Sequence, residues 1–497
     1  LLETLLPGFA GTVLPSWLQE RLRAGLGGVC LFAENISSPT QLRALTDSIM
    51  AANPYAIIAV DEEAGDVTRL FAATGAPFPG NAVLGRLDDV DTTRDTAAAI
   101  GWSLREAGCT VNFAPCVDVN SRSDNPVIGV RSFGSDADLV ARHGAAWVAG
   151  LQSTGVAATA KHFPGHGDTA QDSHVSLPVV NRSLDQLRQR ELLPFAAAID
   201  AGCRLIMTSH ILLPQLDREQ PATMSRIVLD DLLRRELGFS GVVVSDALDM
   251  AGASGAVGMA GAAVAALRAG CDLLCLGTEN TDAQLAEIEQ AVQNAIAEGS
   301  LANDRVSNAA SRVLGLGRDL AAARATAGPP PDLVPVWRPG REVELADTFD
   351  LQPGASAWRS RAAGRYSVVR VEAAPNIAAG HIPWGPFADL GPEPFDKLRT
   401  ALVEGRFDER SAHLISPGQS RMPSFQSNEP VLVVGRDIHR HAFARDAVDR
   451  LRSAGVDVLV VDMGWPSDDR RYADVATFGA SALMGRALLT WLGLGGD

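Results

Sequence analysis

At 497 residues and 46% hydrophobic content, the chain is long and apolar enough for two or three domains with sizeable cores, which excludes a disordered protein or a single small module. Its formal net charge of −16 argues against broad binding to nucleic acid or to an anionic membrane. No apolar run approaches the roughly 20 residues of a membrane-spanning helix. The opening Leu1-Leu2-Glu3-Thr4 lacks the charged-then-apolar order of a secretory signal, so the expected location is cytoplasmic.

In chain order, short apolar runs that end in Gly or polar residues alternate with helical patterns. Strands are expected over Pro7 to Thr12, Gly28 to Phe32, Ala56 to Val60, Val111 to Val119, Val156 to Lys161, Leu205 to Ser209, Gly241 to Asp246 and Asp272 to Gly277. Apolar residues at helical spacing mark Pro39 to Met50, Thr93 to Glu106, Ala137 to Gln152, Leu184 to Ile199, Ile227 to Glu236 and Ala260 to Arg268. Eight such units in roughly 280 residues suit a closed (β/α)8 barrel of TIM type better than a doubly wound sheet. Two closing helices, Ala283 to Glu298 and Asn303 to Leu320, follow.

A proline-rich stretch containing Pro329, Pro330, Pro331, Pro335 and Pro339 then reads as a linker. Beyond it, strands are expected at Ser367 to Val371, His413 to Ser416, Val431 to Gly435 and Val456 to Asp462, with helices at Ala442 to Ala454 and Ser481 to Leu492. The expected organisation is therefore a barrel over 1–325, a linker over 326–342 and a smaller C-terminal α/β domain over 343–497. Val434-Gly435-Arg436 does not make a G-x-G-x-x-G fingerprint, and no cofactor is inferred. The six cysteines look like small core residues and call for neither disulfides nor a metal. Oligomeric state is not legible.

Polar residues gather where strands end. The carboxyl ends carry Asp61, Asp118 with Asn120, Lys161 with His162, His210 and Asp246, on the face where parallel barrels do chemistry. Individually, Asp and Asn at such positions serve as caps or turn residues; as a set they are hard to explain by packing. Asp246, at the lip of the buried run Gly241 to Ser245, is either an ion-pair partner or a nucleophile. Lys161 and His162 supply donors and Asp61 an acceptor, a mixture suited to a ligand rich in hydroxyls. Asp172 and His174 stand two apart in a loop, where a carboxylate can orient one imidazole nitrogen and raise the basicity of the other. Two metal readings fail. His162 and His166 would need a helix that Pro164 and Gly165 forbid. The EF-hand-like start at Asp118 places Arg122, Ser123 and Gly129 where a calcium loop needs a ligand, a Gly and a Glu.

Five stretches together carry a resemblance: Val60-Asp61-Glu62-Glu63-Ala64-Gly65, Asn125 to Phe133, Lys161 to Gly167, Asp172-Ser173-His174, and Ser245 to Met250. In this order they resemble family 3 glycoside hydrolases, within them the NagZ-type β-N-acetylglucosaminidase branch that also includes β-glycoside phosphorylases. The resemblance spans about residues 5 to 320 and implies a retaining mechanism on gluco-configured β-glycosides, N-acetylglucosaminides or glucosides. It also implies Asp246 as nucleophile, the His174–Asp172 pair as general acid/base, and Asp61, Arg131, Lys161 and His162 as sugar-binding residues. Ala64 departs from the family's Asp-Gln-Glu-Gly-Gly, adding a methyl group near the sugar.

An imidazole in the acid/base position, once it has given up its proton, does not repel an incoming anion as a carboxylate would. Inorganic phosphate is therefore the expected acceptor, with Arg69 and His166 as candidate residues for it. Hydrolysis by water is the alternative, and a non-catalytic sugar-binding protein the remote one.

Overall fold

The structure, a computed structural model, describes residues 1–173, 176–255, 257–326, 336–337, 340–362, 365–373, 378–388, 400–404 and 425–494. They divide into two compact units, one of Leu1–Glu63, Asp88–Ile128 and Ser132–Val336, the other of Ala64–Leu87, Gly129–Arg131 and Trp337–Asp497. The second unit thus draws two short stretches from between the strands of the first. Most of the expected linker and the expected strand at His413 to Ser416 lie outside the described residues.

The first unit is a barrel of eight parallel strands: β1 (Leu5–Leu6), β2 (Gly28–Leu31), β3 (Ile57–Val60), β4 (Val111–Asn112), β5 (Ala157–Phe163), β6 (Leu205–Thr208), β7 (Val242–Val244) and β8 (Leu274–Cys275). Strands β2 through β7 pair in sequence order and β1 pairs with β8. A parallel bridge from Val244 to Leu273 joins β7 to β8, and Cys30 N–H donates to the Pro7 carbonyl at 2.9 Å, linking β2 to β1. Alternate residues point inward, as a pleated strand requires. Leu6, Cys30, Ile57, Ala59, Val111, Ala157, Leu205, Met207, Val242 and Val244 therefore fill the interior, and Val313, Leu316 and Leu320 of the helix Asn303–Thr326 pack against them at helical spacing. All six cysteines are buried.

The structure departs from the sequence expectations in four places. The first strand is Leu5–Leu6 and not Pro7 to Thr12, because Pro7 has no N–H to pair and Asn35 takes the carbonyls of Phe9 and Gly11 with its own amide. Strand β4 stops at Asn112; Pro115 cannot donate, and only an isolated bridge from Cys116 to Lys161 resumes the pairing. The expected helix Leu184 to Ile199 is two helices, Leu184–Gln189 and Leu192–Asp200, broken where Arg190 leaves helical geometry and Pro194 enters the first turn of the second. Ile227–Glu236 is wound as a π-helix.

The second unit holds a mixed sheet in the order β11-β10-β12-β13-β14-β9, formed by β9 (Asp350–Leu351), β10 (Ser367–Glu372), β11 (Thr400–Glu404), β12 (Pro430–Gly435), β13 (Asp457–Asp462) and β14 (Val475–Ala476). All pairings are parallel except that of β9 with β14. Val368, Leu432, Val434, Leu459 and Val461 face a core shared with helices Ala355–Ala362 and Ala482–Leu492. Their neighbours Val369, Val371, Val431, Val433 and Val460 face helix Ala442–Ser453 on the other side. With apolar residues on both faces, the neighbouring strands β12 and β13 carry near-continuous hydrophobic runs, Val431 to Val434 and Val458 to Val461. Among the described residues no helix is long and apolar enough to cross a membrane.

Candidate active site

Asp61, His210 and Asp246 lie one or two residues past the carboxyl ends of β3, β6 and β7, Lys161 and His162 fall within the last three residues of β5, and Asp118 stands six residues beyond β4; hydrogen bonds join several of them. Lys161, 2% exposed, donates from Nζ to Asp61 Oδ1 at 2.6 Å and to Glu63 Oε1 at 2.6 Å. Glu63 is buried, whereas the Asp61 side chain is 19% exposed. The buried ammonium is thus matched by one fully enclosed carboxylate and by one that still faces outward. Sequence reasoning missed Glu63 as a partner, although it stands in the quoted stretch two residues from Asp61, the spacing that puts two side chains on one side of extended chain.

Asp118 is the hub of the polar cluster. Its buried carboxylate accepts from His162 Nδ1 at 2.7 Å, from His162 N–H at 3.2 Å, from His166 N–H at 2.6 Å and from Cys116 Sγ at 3.2 Å. Burial alone would raise its pKa, but the charge and hydrogen bond of His162, with those of His166, outweigh that effect and hold it at about 2. The bond from Nδ1 to Asp118 fixes the orientation of the His162 ring. Cys116, Asp118 and His162 each bring one N, O or S atom within 4.8 Å of the others, a zinc-like donor set. Its atoms are already knit together by the protons of the thiol and the imidazole.

His166 is 1% exposed, with Nε2 at 3.1 Å from Ser173 Oγ and Nδ1 at 3.2 Å from Thr169 Oγ1. Burial pushes its pKa down to about 4, against the pull of Asp118 and, from farther off, of Asp246. Asp246 itself is half-buried, and its Oδ1 accepts from Ala247 N–H at 2.8 Å. His210 Nε2 meets the Ala247 carbonyl at 3.0 Å and its Nδ1 meets Thr223 Oγ1 at 2.9 Å, so the turn beyond Asp246 is tied to the end of β6. Asp172 is half-buried on the loop after β5, its carbonyl accepting from Ser176 N–H at 3.1 Å. His174 lies outside the described residues.

Arg69 and Arg131 fold with the second unit. Arg69 donates to the carbonyls of Ala378 at 2.7 Å and Ala379 at 3.4 Å. Arg131 is buried in the short turn Gly129–Arg131, its carbonyl accepting from Asn81 Nδ2 at 2.7 Å.

This barrel edge can be set against known proteins. Residues 15–316 match the model of the glycosyl hydrolase family 3 N-terminal domain. The chain belongs to glycoside hydrolase family 3. Relatives of the chain include the β-hexosaminidase A of Pseudoalteromonas piscicida, 38% identical over a 356-residue alignment that covers 65% of this chain and 59% of that protein. The chain therefore spans well under two thirds of that relative's length. The β-hexosaminidase of Chromobacterium violaceum is 40% identical over 299 residues, 58% of this chain and 83% of that one. Among solved structures, a family 3 β-N-acetylglucosaminidase from Paenibacillus sp. str. FPU-7 matches with a TM-score of 0.83 at 28% identity, covering 100% of this chain and 96% of its own. NagZ from Neisseria gonorrhoeae, in complex with N-trifluoroacetyl-D-glucosamine, matches with a TM-score of 0.52 at 32% identity over 63% of this chain and 97% of its own. The barrel and the smaller α/β domain are thus the family 3 architecture expected from the sequence.

Proposed function

We propose that the chain is a retaining β-N-acetylglucosaminidase that transfers the sugar to water. The observation that carries this reading is the likeness over the whole chain to a β-N-acetylglucosaminidase, joined to a barrel edge where Asp61, Lys161 with His162, and Asp246 stand at the carboxyl ends of the alternate strands β3, β5 and β7. In this reading Asp246 attacks the anomeric carbon and forms a glycosyl ester while the leaving oxygen takes a proton from His174, which Asp172 orients. Water, deprotonated by the same imidazole, then displaces the carboxylate with net retention. Asp61, Lys161 and His162 hold the sugar hydroxyls.

Water replaces phosphate as the favoured acceptor for two reasons. The relatives and the solved structure described above carry the names β-hexosaminidase and β-N-acetylglucosaminidase, which supports hydrolysis. Of the two residues expected to meet phosphate, His166 has both ring nitrogens beside hydroxyls in the interior, and Arg69 directs its guanidinium at backbone carbonyls.

The test is turnover of paired aryl N-acetyl-β-glucosaminide and β-glucoside, with and without inorganic phosphate. Free N-acetylglucosamine at a rate indifferent to phosphate is expected, with a loss on the order of 1,000-fold or more in Asp246→Ala. A glycosyl phosphate product, or turnover accelerated by phosphate, would restore the phosphorylase alternative. An inert wild type would favour a binding protein.

A further inference from the structure

Ser173, the residue between Asp172 and His174 in sequence, is held from two sides. Its Oγ lies 3.1 Å from His166 Nε2, and its carbonyl accepts at 3.2 Å from the N–H of Gly252, six residues beyond Asp246. The second contact is close packing as well as hydrogen bonding. A Cβ on Gly252 would come within 2.9 Å of the Ser173 carbonyl oxygen, 3.1 Å of His210 Cβ and 3.2 Å of the Ser176 carbonyl oxygen. The loop that leaves β5 therefore rests on the short helix Ala251–Ser254 that follows Asp246.

His166 is fixed in its turn. Its N–H donates to Asp118 Oδ1 at 2.6 Å, its carbonyl accepts from Asn125 Nδ2 at 3.0 Å, and Thr169 Oγ1 stands 3.2 Å from Nδ1. Asp118 also holds His162 through Nδ1. A continuous series of hydrogen bonds thus runs from His162 through Asp118 and His166 to Ser173.

We propose that His166 is a positioning residue that sets the acid/base loop in register with the sugar-holding His162, acting through its Nε2 contact with Ser173. The inference rests on the glycosidase reading above. Its physical basis is that proton transfer tolerates little misplacement: an error of about 1 Å costs on the order of 100-fold. A buried ring that stays neutral at working pH carries one N–H and one lone pair, and each flanking hydroxyl can take either complementary role. The Ser173 contact is therefore made by either tautomer of the neutral His166 ring.

The experiment compares kcat/KM on phenyl N-acetyl-β-glucosaminide, whose leaving group needs a proton, with that on the 2,4-dinitrophenyl analogue, whose leaving group does not. The amide of Gln reaches the position of Nε2, and the amide of Asn only that of Nδ1. His166→Gln should retain the phenyl rate within about threefold, whereas His166→Asn and Ser173→Ala should lose on the order of 100-fold on the phenyl substrate and less than about fivefold on the dinitrophenyl one. Azide should accelerate dinitrophenyl turnover by His166→Asn, attacking the anomeric carbon of the ester, expelling the Asp246 carboxylate and leaving a glycosyl azide. Equal losses on both substrates, or a Gln variant no better than Asn, would overturn the proposal. Ser173→Ala removes the same contact with a minimal change, so the comparison survives a misfolded His166 variant. A wild type inert on both substrates would instead defeat the glycosidase reading beneath it.

Discussion

At the scale of single residues, the cluster around Asp118 sets the response to acid. His166 titrates near 4 in the folded chain against an ordinary value of 6.5, because burial disfavours its charged form. The unfolded chain takes up that proton first, so the stability from the neutral buried ring is complete above pH 6.5 and is lost as the pH falls toward 4. Asp118, held at about 2 against 3.8, has the opposite charge type and a lower window: its contribution is complete above about pH 4 and disappears as the pH falls through 2. From pH 6.5 to pH 5 the His166 effect amounts to about 2 kcal/mol. The melting-temperature gap between wild type and His166→Gln should narrow over that range; a gap independent of pH would mean that the folded ring takes up its proton as readily as the unfolded one. Asp118 stood out in the sequence as one of several strand-end carboxylates. Its role as hub did not, because nothing in one sequence says that two backbone N–H groups four residues apart, those of His162 and His166, will converge on it.

At the scale of elements, the barrel strands were legible because runs such as Val242 to Val244 and Ile57 to Val60 are apolar and end abruptly in polar residues. The edges were less so where local chemistry overrides hydrophobicity, as at Pro7 and Pro115. The contact between the loop after β5 and the helix after β7 was invisible, since a glycine in Ala251-Gly252-Ala253-Ser254 gives no sign of what lies against it. That contact makes Gly252→Ala a sensitive probe. The added methyl must displace the Ser173 carbonyl oxygen, 2.9 Å away, so kcat/KM should fall by roughly tenfold or more while the melting temperature moves by only a few degrees. Unchanged kinetics in this variant would show that the loop yields without consequence for the chemistry.

At the scale of the whole molecule, the second unit is not an appendage that begins after the linker. Val83, fully buried, packs in one core with Leu345, Trp358, Val368 and Leu488, and Arg86 places its guanidinium 4.3 Å from the ring centre of Phe478. Asp66 accepts the Ala480 N–H at 2.8 Å. The linear order of elements hid this, because a strand-loop-helix pattern looks the same whether or not its loop folds with chain three hundred residues away. Truncation after Val336 should therefore leave 64–87 without the residues that bury it, lowering soluble yield and exposing apolar surface that binds a hydrophobic dye. A truncated protein as soluble and as heat-resistant as the full chain would contradict this assignment.

The burial of Val83 against Leu345 and residues beyond it also constrains the order of events on the ribosome. Residues 64–87 emerge early, yet the side chains that cover them are synthesised more than 250 positions later, a delay of roughly 15 to 50 s at ordinary translation rates. Through that interval the nascent chain carries an unsheltered apolar segment between two barrel strands. Newly made protein should accordingly lean on holding chaperones until its last domain has been released.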